Sequence, residues 1–496
     1  MTEIWEGVKS ERQPEALAKL AAEARRDLSR LNFPAANWVP PSTRDSKPVL
    51  DVLVLGAGLC GQTAAFALMR DGIRNVRIVD RCPKGEEGPW GTYARMQILR
   101  SPKTLSGPDL GVPSLTFRAW YEAQHGEAGW QRLHKAGRLD WRDYLIWVRE
   151  TVGIRVENGV EVIRLAPEPD GVAVTLRSAA GTEQVFARKV VLASGRDGSG
   201  GLRLPSFPGL VAAGGGLGRC LHSSQDIDFL GLANRRIAVL GSGASAFDCA
   251  ATALEAGAAQ VTLFVRRPHL PQVNKAKWAS FIGCLRGFSA LDDATRWQFF
   301  TYISGEQAPP PHESVLRCDA HAAFSIRFCA PWTDVCPDTE GVTMRTPQGD
   351  HRADMAILAT GFDVDLTMRS ELELVRDNIL LWRDRISPEA AARVPECARF
   401  PYVGPGFEMM ERTVGATPGL GHMHVFNWGV TVSHGALAGD IPGLRIGADR
   451  LAEALCRALL GADIATHLQR LHDAEDPELL PTKRFVPRER RNIAQP

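Results

Sequence analysis

Two glycine-rich turns are the first places in this sequence where a backbone could hold phosphate. They are Gly56-Ala57-Gly58-Leu59-Cys60-Gly61 and Gly241-Ser242-Gly243-Ala244-Ser245-Ala246. Gly56 permits a tight turn, Gly58 lets the backbone approach a pyrophosphate, and Gly61 lets helix and strand pack closely. A helix that starts at such a turn presents unpaired N–H groups and partial positive charge to an anion. The first turn follows an apolar run, Val52–Leu55. An Ala- and Leu-rich helical stretch, 62–71, comes next, then a second run, Val76–Val79, that closes on Asp80. An acid at that place accepts hydrogen bonds from a ribose diol. The second turn sits in the same frame, between Ile237–Leu240 and Val261–Val265, but no carboxylate follows. Arg266-Arg267 stands there instead. Two guanidiniums favour a 2′-phosphate through charge-assisted hydrogen bonds, where an acid would repel it. The first unit therefore reads as an FAD site, with Gly56, Gly58, Gly61, Asp80 and Arg81. The second reads as an NADPH site, with Gly241, Gly243, Ser245, Arg266 and Arg267.

Other groups lie where they could reach the reacting end of these cofactors. After Asp80 comes a long Gly- and Pro-rich segment carrying Trp90, Tyr93, Arg95, Met96, Gln97 and Lys103. Irregular segments of that length in a compact domain are usually functional, and aromatic and amide groups there suit a flavin ring. Ala359-Thr360-Gly361-Phe362 ends a return strand, so Thr360, Gly361 and Phe362 join the candidate cofactor contacts. Asn274 and Lys275, just past the second nucleotide strand, suit either nicotinamide and substrate or plain solvent. His422, His424 and His434 lack the Cys or carboxylate spacing of a metal site, so no metal is expected. Ten cysteines are scattered without a CxxC pair. That pattern fits reduced thiols in a cytoplasm and speaks against a flavin disulfide reductase.

The elements that position these groups are legible from periodicity. Residues 13–31 have the apolar spacing of an amphipathic helix, and the proline-rich stretch to 47 reads as a strap over the nucleotide domain. Helices are expected over 115–125 and 141–150, with their Trp and Tyr residues in the core. Alternating residues from 154 to 191 predict a β-meander. A hairpin and return strand are expected over 341–362. A closing helix is expected over 448–460, its N-terminus placed to stabilise negative charge on a reduced flavin. The fold class is α/β, with two Rossmann-like dinucleotide-binding domains and the NADPH domain inserted in the FAD domain. The expected boundaries are an N-terminal arm at 1–47, an FAD domain at 48–205 and 345–496, and an NADPH domain at 206–344. The last carries a substrate-side insertion around 270–335.

A chain of 496 residues with 44 % apolar and 23 % charged residues is a soluble globular protein of two or three domains. A formal charge of +1 gives no electrostatic case for nucleic acid or membrane surfaces. No apolar run is long enough to span a bilayer, and the start of the chain lacks a signal pattern. The expected partners are a small-molecule substrate and O₂, in the cytoplasm. Homo-oligomer formation is left open.

Two G-x-G units, an intervening meander and an ATGF return strand resemble the single-component, NADPH-dependent flavin monooxygenases, a group that includes flavin-containing, N-hydroxylating and Baeyer–Villiger enzymes. Ala94-Arg95-Met96-Gln97 with Lys103 resembles the flavin and amine loop of the N-hydroxylating branch. Asp354…Leu358-Ala359-Thr360-Gly361-Phe362 resembles another element of that branch. The resemblance implies FAD and NADPH as cofactors and a flavin C4a-(hydro)peroxide that transfers one oxygen atom. It implies N-hydroxylation of an amine or related heteroatom oxygenation first, with Gln97 near the flavin and Lys103 near substrate; Asn274, from its place in the chain, is the candidate near nicotinamide. Baeyer–Villiger oxidation of a ketone is the alternative, as is an NAD(P)H:flavin oxidoreductase that passes electrons to another acceptor.

Overall fold

The computed structural model describes residues 13–105, 107–214 and 218–484, so the first twelve residues of the N-terminal arm lie outside it. The arm helix runs Pro14–Arg30 and buries Ala21, Ala24 and Leu28. It lies against the helix Phe117–Arg132, as a cover over the first domain should.

The first sheet is built around the strand Leu50–Leu55, buried along almost its whole length because strands and helices cover both of its faces. Val76–Asp80 pairs parallel on one side and the end of Gly181–Leu192 on the other. The strand Gly181–Leu192 does two jobs. Its first half closes the antiparallel meander with Gly171–Ser178, and its last residues pair parallel with Met423–Val425. The meander, both aromatic helices and the closing helix, Leu444–Ala462, form where periodicity placed them. The helix aromatics are core residues: Trp120, Trp130, Trp141 and Tyr144 all ring Phe117, which is 1 % exposed.

The second sheet is all parallel, in the spatial order Cys220–His222, Met355–Leu358, Arg236–Leu240, Gln260–Phe264, Phe324–Arg327. One expected boundary is corrected by this order. The expectation that the FAD domain resumes at 345 does not hold, because Met355–Leu358 pairs inside the second sheet. The hairpin before it (Val342–Thr346 with Gly349–Ala353) supplies Val342, Met344 and Ala353 to that sheet's core beside Trp332 and Phe207. The second unit therefore runs to Leu358. A return strand that inserts between two others cannot be assigned from its own sequence, because an apolar run fits either sheet.

The two units repeat one construction. In each, the strand after the helix pairs on one side of the first strand and the return strand on the other. The first glycine N–H bonds across to Val79 O in one unit and to Phe264 O in the other. The return strand leaves as Ala193-Ser194-Gly195 and Ala359-Thr360-Gly361. The chain then crosses between domains through Gly200–Leu202 and comes back through Phe362–Val364, and these two crossings pair antiparallel.

Candidate active site

The first glycine turn is tight for reasons that can be read atom by atom. A Cβ on Gly61 would sit 1.8 Å from Gly56 O, and one on Gly56, at φ +92°, would meet Ala193 O at 2.6 Å. Gly58 differs. A Cβ there would come no nearer than 3.8 Å to protein, touching only Gly88. Its bareness serves no packing need, and leaves room for a group lying on the helix N-terminus. The second turn repeats the contrast: a Gly241 Cβ would meet Ala359 O at 2.6 Å, while Gly243 faces open space. Beside Gly58 is a pocket lined by Gln62, Glu87, Trp90, Arg142 and Arg149. Trp90 Nε1 is buried there with no partner among the described residues. An open cradle over a helix N-terminus, flanked by arginines and an orphaned donor, fits a dinucleotide pyrophosphate.

Asp80 ends the second strand as expected. Its Oδ2 accepts from Ala57 N at 2.7 Å and its Oδ1 from Cys82 N at 2.8 Å. The carboxylate thus fixes the turn and keeps a second lone pair on each oxygen for a ribose diol. Arg81 reaches away to Asp197. In the second unit, Ser245 is exposed in the first helical turn and Arg266 is exposed with no hydrogen bond or ion pair among the described residues. Arg267 donates to Gly305 O at 2.9 Å. Arg266 is the guanidinium left available for a phosphate.

Among its described residues, the segment from Cys82 to Val112 carries no helix or strand, yet it is held firmly. Arg138 opens the helix Arg138–Val152 and donates to Trp90 O, to Met96 O at 3.0 Å and, through its backbone N–H, to Gln97 O at 2.9 Å. Under the loop, Glu87 and Arg149 form an ion pair at 2.7 Å with both side chains under a tenth exposed. Asn158 Nδ2 and Gly85 N complete the carboxylate's bonds. Burial pushes the Glu87 carboxyl up, but Arg149 and Asn158 outweigh it and hold the group below its usual value. Sequence reading missed Arg138, which grips backbone oxygens some forty residues earlier, and Glu87 and Arg149, which pair across 62 positions of sequence.

The loop also touches the second domain. Tyr93 packs on Phe362, ring centroids 5.9 Å apart, and His222 meets the same ring edge-on, also at 5.9 Å. His222 Nε2 bonds Gly361 O at 3.0 Å, and Thr360 donates to Arg203 O. Arg95 reaches Gln225 O, Arg100 reaches Pro309 O, and Glu313 receives both Lys135 and His134. The structure therefore brings Trp90, Met96 and the Thr360–Phe362 segment to one place between the domains. Gln97 is there with its side chain exposed.

Two candidate chemical residues, Lys103 from the resemblance and Asn274 from its place in the chain, are engaged elsewhere. Lys103 Nζ donates to Trp130 O, Leu133 O (2.7 Å) and, more weakly, Gln131 O, so its donors close the end of the helix Phe117–Arg132. Lys103→Met is thus expected to lower the melting temperature by several degrees, on the order of 1–2 kcal/mol, with substrate KM unchanged. A raised KM at an unaltered melting temperature would return Lys103 to the substrate. Asn274 caps the short helix Lys275–Trp278, its Oδ1 accepting from Lys277 N at 3.1 Å. Asp354, from the second matched element, pins the first strand of the second unit by accepting from Arg236 N at 2.7 Å.

The three C-terminal histidines are structural. His422 lies between Lys189 and Pro169 O, His424 bonds Gly406 O, and His434 bonds Gly404 O. Burial lowers both His424 and His434 to about 3, so each is a neutral ring. Among the described residues no group of three or more His, Cys, Asp or Glu is gathered for a metal, and no helix is long and apolar enough to cross a membrane. All ten cysteines are free thiols. Cys60, nearest the first turn, is pushed up to about 11 by burial, the wrong direction for a redox thiolate.

Residues 50–282 match the pyridine nucleotide-disulphide oxidoreductase family. The chain is 39 % identical to the FAD-dependent urate hydroxylase of Xanthomonas campestris pv. campestris, over 90 % of this chain and 93 % of that protein. A Baeyer–Villiger monooxygenase of Streptomyces coelicolor is 30 % identical over 45 % of this chain and 40 % of its own. Among solved structures, the ornithine hydroxylase PvdA of Pseudomonas aeruginosa superposes with a TM-score of 0.64. It is 17 % identical, and the match covers 83 % of this chain and all of PvdA.

Proposed function

We propose that this chain, which belongs to the FAD-dependent monooxygenases, hydroxylates a planar nitrogen heterocycle of the urate class with NADPH as reductant. The observation that carries this reading is the 39 % identity along nearly the whole of a urate hydroxylase. It is supported by the two open glycine cradles set against one interdomain loop. FAD supplies the oxygen chemistry when bound: NADPH and O₂ provide two electrons and two oxygen atoms, of which one enters the substrate and one leaves as water.

The protein's share is placement. The helix N-terminus after Gly58 would hold the FAD pyrophosphate and Asp80 the ribose diol. Arg266 would hold the 2′-phosphate of NADPH. The buried Glu87–Arg149 pair and the Arg138 clamp keep the loop that carries Trp90 and Met96 in place over the site. Tyr93, Phe362 and His222 close the wall between the domains and limit water there. N-hydroxylation of an amine is the second reading, favoured by a fold that matches ornithine hydroxylase along its full length.

Oxygen uptake and NADPH consumption by the purified holoenzyme decide between them. Urate is expected to accelerate NADPH oxidation with one urate consumed per O₂. Ornithine, lysine and cadaverine are expected to leave the rate at its background. Release of H₂O₂ equal to the NADPH used, with urate intact, would sink the proposal.

A further inference from the structure

Four arginines, Arg95, Arg100, Arg138 and Arg196, stand around the interdomain loop with no carboxylate at ion-pair distance among the described residues. Three spend N–H groups on carbonyls: Arg95 on Thr92 and Gln225, Arg100 on Pro309, Arg138 on Trp90 and Met96. Among the described residues, Arg196 makes no such bond. Its guanidinium lies instead over the ring of Trp428, 4.1 Å from the centroid.

Both partners of that stack are set by the sheet edge where the first glycine turn lies. Arg196 directly follows Ala193-Ser194-Gly195, whose first carbonyl crowds Gly56. Trp428 follows Asn427, which is 2 % exposed and whose Oδ1 accepts from Ser199 Oγ and Gly429 N, both at 2.9 Å. Gly439 is pressed against the Trp428 backbone, and its N–H bonds Cys60 Sγ in the first turn of the dinucleotide helix. The Trp428 backbone is therefore fixed, and its ring lies under a guanidinium whose N–H groups have no hydrogen-bond partner among the described residues.

Loss of hydration and the like charge of Arg196 hold the Arg100 guanidinium below its usual value, although Asp248, Asp440 and Glu313 oppose them from beyond ion-pair distance. A counter-anion from outside would relieve this. The dinucleotide phosphates have their own holders, in the two helix N-termini and Arg266.

We infer that Arg196, held over the ring of Trp428, is the residue that binds the substrate's negative charge, and that the substrate is a planar heterocyclic monoanion. Urate at neutral pH is such a species, and the inference rests on the urate-class reading above. A guanidinium fork offers two parallel N–H donors to adjacent acceptors on one edge of the ring. The contact with Trp428 restrains where that fork sits, and an ammonium has no planar pair of donors to offer.

The test is a binding titration of oxidised holoenzyme, followed by flavin absorbance, with urate and with uncharged 1,3,7,9-tetramethylurate. Arg196→Gln is expected to raise the Kd for urate at least about tenfold, as loss of a charge-assisted pair should. Arg196→Lys and Trp428→Phe should fall between it and the wild type, and Kd for the uncharged analogue should move little in any of them. FAD content and KM for NADPH are measured on the same preparations. An unchanged urate Kd in Arg196→Gln, or a loss confined to FAD content or to NADPH, would overturn the inference and give the arginine to a cofactor. Turnover tests the other reading separately. Wild type that binds urate through Arg196 without oxygenating it would keep the inference and lose the function, and wild type that binds no urate would lose both.

Discussion

Gly58→Ala is expected to yield a folded protein that retains at least about tenfold less FAD than wild type. Gly58 sits in extended backbone at φ −65°, ψ −167°, which alanine adopts freely, and its added Cβ would find only Gly88 at 3.8 Å. The protein alone thus has no reason to object, and stability should stay within about 1 kcal/mol. The methyl group would occupy the space where a pyrophosphate has to meet the helix N-terminus. Gly61→Ala is the control with the opposite signature. Its Cβ would lie 1.8 Å from a backbone oxygen, so the turn must open, at about 3 kcal/mol or more. FAD-to-protein ratio and thermal unfolding of the apoprotein separate the two. Full FAD content in Gly58→Ala would remove the pyrophosphate from this turn.

The second large effect concerns the choice of nicotinamide cofactor. Arg266 is exposed, follows the last strand residue of the βαβ unit by two positions, and has no hydrogen bond or ion pair among the described residues. Replacing it with alanine removes a charge-assisted bond that only the 2′-phosphate can accept, on the order of 2–3 kcal/mol. kcat/KM for NADPH should fall about 30- to 150-fold, with kcat/KM for NADH nearly unchanged. Arg267→Ala should do much less to the ratio, since that guanidinium is already directed at Gly305 O. Equal losses with both nucleotides would show that Arg266 supports the fold rather than the phosphate.

Much of this architecture was legible in the sequence because dinucleotide turns are local. Strand, glycines, helix and terminal acid or arginine all fall within one short window, and each glycine has a steric reason. The aromatic helices were legible as core for the same reason of spacing. What could not be read was anything decided by distant backbone. Lys103 matched a substrate-loop pattern, yet carbonyls at the end of a helix about thirty residues on take its donors. Met355–Leu358 looked like a strand of either sheet until its neighbours were known. Arg196 and Trp428 lie in different thirds of the chain, and neither carries a motif. Arg138 has no signal of its own, because the groups that it grips are peptide oxygens.

That last feature bears on how such a protein changes its chemistry over time. Arg138 grips the loop at Trp90, Met96 and Gln97 through main-chain oxygens alone, and the bridge between Ile98 and Gly137 is likewise main-chain. Every residue type offers those oxygens. The side chains of Met96 and Gln97 can therefore be exchanged by mutation without loosening those bonds, while position 138 tolerates little. Inheritance of the scaffold and divergence of specificity are assigned to different residues, so a lineage can be retargeted to a new substrate one substitution at a time and stay folded throughout.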